Sequence, residues 1–315
     1  MKLKLIFVTA IALSLSTSFA DDHKPTQKAV LVTGASSGIG LNITKHLTKA
    51  GYYVYASARK DADLKRLDAM DNVSAVKFDV TKQDEIDAAA TFIKEQGRGL
   101  YGVINNAGVG VFSNISSAPV EDVMWMHDIN TFGPHRVNLA MMPLLKESNG
   151  RTAIIGSISG YLSNPASGGY SMSKMAAEVY VEALDMDLET QGMQAALIAP
   201  GAYKSKIREK VAMHSITGKY DMKSDDTKLN EEAQKRLNQM RESNASLKEP
   251  DEVSEAVMTF LAAETPKRRY MVTPNKNAAE ITIRAAMARM LEHNAEQPYS
   301  LSRDELIQLM DELSK

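Results

Sequence analysis

Tyr170 and Lys174 stand four residues apart in the run Gly169-Tyr170-Ser171-Met172-Ser173-Lys174, with Ser157 upstream. A phenol titrates near pH ~10 in isolation, so it transfers protons poorly at neutral pH unless its phenolate is stabilised. At spacing i, i+4 on a helix the Lys174 ammonium shares a face with the Tyr170 ring, and a nearby cation lowers a phenol's pKa. Such pairs are also common on exposed helix surfaces, and the spacing alone favours that plainer reading. Ser157 shifts the balance. Thr152-Ala153-Ile154-Ile155-Gly156-Ser157 reads as a strand whose end carries Ser157 into the crevice at the carboxyl edge of a sheet, where open α/β folds bind ligands. There its hydroxyl can donate to a carbonyl oxygen that becomes alkoxide-like as hydride arrives.

A second element must hold a redox partner for that chemistry. Thr33-Gly34-Ala35-Ser36-Ser37-Gly38-Ile39-Gly40 follows the apolar run Ala29–Thr33 and leads into the helically spaced Leu41–Leu47. This is the strand, turn, helix context of a dinucleotide site. Gly34 permits the tight turn, Gly38 lets the backbone approach a pyrophosphate and Gly40 allows close helix packing, while the helix N-terminus offers N–H groups to the anion. Taken alone, the turn fits an ordinary βα connection equally well. Strand-like runs at about 29–33, 53–58, 74–79, 102–105, 152–157, 193–199 and 269–273 alternate with helical patterns. That alternation predicts one α/β domain with a doubly wound parallel sheet and right-handed crossovers.

The order of motifs resembles the short-chain dehydrogenase/reductases: the glycine-rich turn, Asn105-Asn106-Ala107-Gly108, Asn130 in Asn-Thr-Phe-Gly, Ser157, Tyr170-x-x-x-Lys174 and Pro200-Gly201. The likeness runs over 28–274. The three residues between the first two glycines resemble the oxidoreductase branch of that family. Val54–Arg59, Asn-Thr-Phe-Gly-Pro and Pro266–Tyr270 are similar to its hydroxysteroid and retinol dehydrogenase-like members. The resemblance implies a Rossmann-type sheet of about seven strands with helices on both faces. It implies that Tyr170 is the acid/base, Ser157 polarises the substrate, Lys174 also holds the nicotinamide ribose and Asn130 supports a water chain. It further implies cofactor contacts from Gly34, Ser36, Ser37, Gly38, Ile39, Gly40, Asp79, Val80, Asn106, Ala107, Gly108, Pro200, Gly201 and Ser205, besides Tyr170 and Lys174. Ser159, Ser171 and Ser173 have no role in the pattern and read as loop or helix-surface hydroxyls.

The end of the second strand decides between cofactors. A carboxylate there would hydrogen-bond the adenosine ribose of NAD and repel a 2′-phosphate, whereas an arginine would pair with that phosphate. Ala58 is followed by Arg59, so NADP(H) is expected as the preferred cofactor, with NAD(H) as the alternative. The expected reaction interconverts an alcohol and a ketone or aldehyde, and the hydroxysteroid-like resemblance favours an apolar substrate. The competing reading is a nucleotide-binding regulatory or structural protein on the same fold without turnover, since fold does not fix function. The intact set Asn130, Ser157, Tyr170 and Lys174 speaks against it.

Net charge of −2, 24% charged and 44% hydrophobic residues describe a compact chain with a large core, and nothing suggests a nucleic-acid partner. A homodimer or tetramer stays open. The six histidines lack ligand spacing, so no metal is expected, and the absence of cysteine excludes thiolate chemistry and disulfides. Lys2 and Lys4 precede the apolar run Leu5–Leu15, and Ser18-Phe19-Ala20 precedes Asp21, the pattern of a signal peptide over 1–20. Export, to a periplasm, is the expectation, with a membrane anchor or a cytoplasmic protein as alternatives. The charged segment 202–246, which has no strand pattern, is expected as a lid over the substrate. Beyond it, 275–315 reads as a helical extension in which Ile281, Ile283, Ala286, Met287, Met290 and Leu291 offer an apolar face and Ser302-x-x-Glu305 suits a capping box.

Overall fold

Short apolar runs rich in β-branched residues become strands that are covered on both faces, as a parallel sheet requires. The computed structural model describes residues 27–218 and 229–314. The expected signal segment 1–20 and the part of the expected lid over 219–228 lie outside the described residues. The strands are β1 (Ala29–Val32), β2 (Tyr53–Ala58), β3 (Val73–Lys77), β4 (Gly102–Asn105), β5 (Arg151–Ile155), β6 (Gln194–Pro200) and β7 (Arg269–Val272). They form one seven-stranded sheet in the order β3-β2-β1-β4-β5-β6-β7, every pairing parallel. The helices are α1 (Gly38–Lys49), α2 (Asp61–Asp68), α3 (Gln83–Glu95), α4 (Val120–His127), α5 (Gly133–Glu147), α6 (Gly168–Glu189), α7 (Ile207–Thr217), α8 (Glu231–Ala245), α9 (Asp251–Ala262), α10 (Lys276–Asn294) and α11 (Arg303–Leu313).

Period-two alternation sorts the strand side chains into two cores. Leu31, Tyr55 and Val103 point to one face, where Ile86, Met141 and Val181 meet them. Val30, Val32, Val54 and Ile104 point to the other, against Ile43, Leu47, Val257 and Phe260. β1 has β2 on one side and β4 on the other, so the connections leaving the carboxyl ends of β1 and β4 diverge and open a crevice between them.

Two strands end two residues short of the sequence reading. β3 stops at Lys77 because the Asp79 N–H turns to the Glu85 carboxylate (2.7 Å). β5 stops at Ile155, so Ser157 lies past the strand, where its Oγ accepts the Ser159 N–H (3.1 Å) and caps the short turn Ile158–Gly160. The charged segment after Pro200 folds as α7 and α8, which share a small apolar cluster of Ala212, Met213 and Leu237. In the C-terminal extension the Ser302–Glu305 capping box forms. The apolar stripe of α10 faces outward, contrary to what burial of such a face would give: Ile281, Ile283, Met287, Met290 and Leu291 are exposed. The face laid on the body carries Thr282, Ala285, Ala286 and Arg289, whose small or hydrogen-bonding side chains permit close approach; Arg289 donates to the Tyr161 carbonyl (3.2 Å). No described helix is long and apolar enough to cross a membrane.

Candidate active site

The glycine-rich turn needs its glycines for two distinct reasons. Gly34 and Gly38 have φ of +64° and +57°, in the left-handed region where a side chain is strained. Gly40 lies beneath the turn, where a Cβ would sit 2.6 Å from the Gly34 carbonyl oxygen and closer still to the Asn106 amide. Asn106 fills that space by donating from Nδ2 to the Thr33 and Gly34 carbonyls (2.9 and 3.2 Å). Thr33 returns the contact, its Oγ1 accepting the Asn106 and Ala107 N–H groups, both at 2.9 Å. The turn after β1 and the loop after β4 are thus fastened across the crevice.

A cavity of about 510 Å³ fills this crevice. Its walls carry Gly34, Ser36, Ser37, Gly38 and Ile39 from the turn, Arg59, Asp79 and Val80 from the ends of β2 and β3, and Asn106, Ala107 and Gly108 beyond β4. Ser157, Tyr170 and Lys174 line the opposite end, with Pro200, Gly201 and Ser205 at the mouth of β6. Of the residues singled out from sequence, Gly40 and Asn130 stand behind this wall. The cradle has the shape and chemistry of a dinucleotide site: free turn amides at the N-terminus of α1, no Cβ at the tight positions, and a polar far end.

At that far end α6 supplies Tyr170 and Lys174 one turn apart, and Ser157 lines the same wall close enough to act on the Tyr170 phenol. Lys174 is buried, and its Nζ donates to the Ile155 carbonyl (3.0 Å). The helical spacing predicts that Lys174 draws the phenol's pKa down. The direction is the reverse: burial pushes Tyr170 up to about 12, with Ser157 pulling the other way. Burial of the phenol outweighs any help from Lys174, whose Nζ donates to the Ile155 carbonyl and lies 5.8 Å from the Tyr170 ring centroid. Burial also pushes Lys174 itself down, to about 8. Phe112 closes one side of the cluster, edge-on to Tyr170 with centroids 5.9 Å apart.

Asn130 sits in a π-helical turn, Asp128–Phe132, that splices α4 to α5. Its Oδ1 accepts the Val109 N–H (2.9 Å), and its Nδ2 donates to the Val109 carbonyl (2.9 Å) and to Ser173 Oγ (3.0 Å). Ser173 is therefore no surface hydroxyl: it is fully buried and ties Asn130 to the catalytic-side helix. Ser171 is buried as well, donating to the Leu162 carbonyl (2.9 Å). Both positions face inward because α6 packs on α4 and on the turn that holds Asn130, a contact that one helix's sequence does not display.

At the adenosine end Arg59 donates to Asp79 Oδ2 (2.9 Å). Burial opposes ionisation of Asp79, yet the Thr81 N–H and hydroxyl and Arg59 together hold its carboxyl below the usual range. Sequence reasoning missed Thr33 as the fastener, Ser57, whose Oγ accepts the Gly34 N–H (3.3 Å), and Lys206 and Lys210, which also line the cavity.

The sequence model of the family described as short chain dehydrogenase matches residues 28–215. The chain belongs to this family, an oxidoreductase class that acts on CH–OH groups with a nicotinamide cofactor. It is 34% identical over 190 residues to a protein of Escherichia coli K12 named "Uncharacterized oxidoreductase YbbO", covering 60% of this chain and 70% of that one. It is also 34% identical over 206 residues to retinol dehydrogenase 7 of Mus musculus, covering 64% and 65%. These relatives agree with the hydroxysteroid and retinol dehydrogenase-like placement. The fold is shared with a short-chain dehydrogenase/reductase of Burkholderia phymatum in complex with NAD (TM-score 0.70, 21% identity, 87% of this chain and 98% of that one). It is shared equally with a short-chain dehydrogenase of Burkholderia cenocepacia in complex with NADP (TM-score 0.64, 22% identity, 86% and 98%).

Proposed function

We propose that the protein is an NADP(H)-dependent oxidoreductase that interconverts an apolar alcohol and the corresponding ketone or aldehyde. The observation that carries this reading is the convergence of Ser157, Tyr170 and Lys174 on one end of a cavity whose other end is the glycine-rich cradle and Arg59. The nicotinamide dinucleotide, when bound, supplies or accepts the hydride. Tyr170 moves the proton: with its pKa pushed up to about 12 it is protonated at neutral pH, the form needed to donate from Oη to a nascent alkoxide during carbonyl reduction. Ser157, on the same wall of the cavity, donates to the same oxygen and steadies it as charge develops. Lys174, held at the end of β5 by the Ile155 carbonyl, offers further N–H donors to a ribose. Asn130 fixes the loop through Val109 and supports a path for water to renew the Tyr170 proton.

Phe112, Leu162 and Val211 give the substrate side an apolar wall, which supports an apolar carbonyl compound over a sugar or hydroxy acid. The preference for NADP(H) rests on Arg59 at the end of β2. Export through residues 1–20 belongs to the proposal too, and N-terminal sequencing of the purified protein checks it: a mature chain starting at Asp21 supports export, and an intact Met1 in a cytosolic fraction removes it. The function is tested by incubating the protein with NADPH and a panel of ketones and aldehydes while following NADPH consumption. Turnover with apolar members supports the reading; folded protein that binds NADPH and consumes none returns the weight to a regulatory or structural role.

A further inference from the structure

Helix α7 brings two cations to the adenosine end of the cavity that the mechanism above does not use. Lys206 caps α7 and Lys210 follows one turn later, the Lys210 N–H donating to the Lys206 carbonyl (3.0 Å). Side chains four apart on a helix leave from one face. That face borders a recess of about 170 Å³ whose other walls include Ser36, Ser37, Arg59 and Lys60. The approach is fixed from both sides. A Cβ on Gly38 would lie 3.1 Å from Ser205 Cβ, so the entry to α7 rests on the glycine-rich turn. Behind it, the Ser205 N–H donates to Asn244 Oδ1 (3.1 Å), and Lys204 pairs with Glu249 (2.6 Å).

Lys206 and Lys210 bring positive charge to a recess that Arg59, Lys60 and Asp63 also line, while Asp79 holds the guanidinium of Arg59 and Asp63 that of Arg66, both at 2.9 Å. Lys210 registers its cationic neighbours. Its ammonium is pushed down first by burial and then by Arg59, Lys60 and Lys206, against a smaller pull from Asp63. Like charges held around a recess repel until an anion enters. A phosphate monoester, with up to two negative charges and three acceptor oxygens, is the matching group. A pyrophosphate has its own donors in the turn amides at the start of α1, whereas this recess lies on the Arg59 side.

We propose that Lys206 and Lys210 form the wall of the 2′-phosphate pocket opposite Arg59, so that selectivity for NADP(H) is divided between the end of β2 and the lid. This rests on the NADP(H) reading above and assigns to it two residues outside the glycine-rich motif and the strand end.

The test is the dissociation constant of NADPH and of NADH for the wild-type protein, Lys206→Gln, Lys210→Gln and the double variant, with heat stability of each in the absence of cofactor. The wild type is expected to prefer NADPH. Each substitution should weaken NADPH roughly tenfold, and the pair roughly a hundredfold, with NADH changed less than about threefold. Stability without cofactor should hold or rise, because a repelled cation is removed, which a merely structural role would not give. Lys206 is exposed, so Lys206→Gln reports even if the substitution at Lys210 disturbs folding. Equal losses for NADPH and NADH would place the lysines on the pyrophosphate common to both and overturn the inference. Unchanged NADPH affinity in a wild-type background that prefers NADPH would overturn it while leaving the cofactor reading intact. A wild type that binds NADH as tightly as NADPH would end the cofactor reading and the inference with it.

Discussion

Lys174→Met separates the electrostatic state of the site from its chemistry. Lys174 is buried, with a pKa of about 8 in the fold against an ordinary value of 10.5. Between those values the unfolded chain binds the proton and the folded chain does not, so stability rises with pH through this window; it is complete above 10.5 and lost as pH falls through 8. Integrating the two titrations, the buried ammonium costs about 3 kcal/mol at pH 7 and about 1.5 kcal/mol at pH 9.5. Wild type should therefore gain about 2 kcal/mol on the variant between those two pH values. Tyr170 cancels from the comparison, because its ordinary value of 10.0 and its folded value of about 12 both lie above the two pH values compared, and it is present in both proteins. Losing the bond to the Ile155 carbonyl lowers the variant's stability at both pH values alike and cancels from the comparison. Urea unfolding of the two proteins without cofactor, at pH 7 and 9.5, gives the four free energies. A wild-type-minus-variant difference that stays constant within about 0.5 kcal/mol would refute the claim that burial drives Lys174 down.

Gly40→Ala should destabilise the protein by roughly 2–5 kcal/mol, from overpacking against the Gly34 carbonyl and loss of the two Asn106 bonds, as read by urea unfolding; a change under about 0.5 kcal/mol would contradict the packing seen beneath the turn. Arg59→Asp should weaken NADPH far more than NADH, since a second carboxylate would face Asp79 and repel a 2′-phosphate; equal effects in binding titrations would remove the assignment. Asn130→Ala removes three hydrogen bonds of a buried side chain, two to Val109 and one to Ser173, and should cost roughly 2–4 kcal/mol in unfolding free energy together with a fall in kcat.

Features set by local pattern were legible in the sequence. Runs such as Val30-Leu31-Val32 and Val103-Ile104 are apolar at consecutive positions because both faces of their strands are covered, and the glycine spacing follows from the tight turn. The Ser302–Glu305 capping box is likewise local. Features made by two elements meeting were not. Ser173 looks like a surface hydroxyl until α6 crosses the turn that carries Asn130. The direction of the Tyr170 shift is set by how deeply the packed elements bury the phenol, and the acceptor of Lys174 Nζ, Ile155, belongs to a different element. Lys206 and Lys210 are two of many charges in the segment 202–246, and only the seating of α7 on the glycine-rich turn brings them to Arg59. The apolar stripe of α10 gave the element but not the side it presents to the body, since periodicity marks a stripe without saying whether the body lies under it.

The central claim is that Tyr170 carries the proton in carbonyl reduction, and the most direct measurement compares wild type with Tyr170→Phe using NADPH and a carbonyl substrate that the wild type reduces. The account predicts that turnover is abolished while the NADPH dissociation constant stays within about threefold of wild type, because the ring and its packing against Phe112 remain and only the hydroxyl is lost. Turnover retained by Tyr170→Phe at a rate near that of wild type would contradict it.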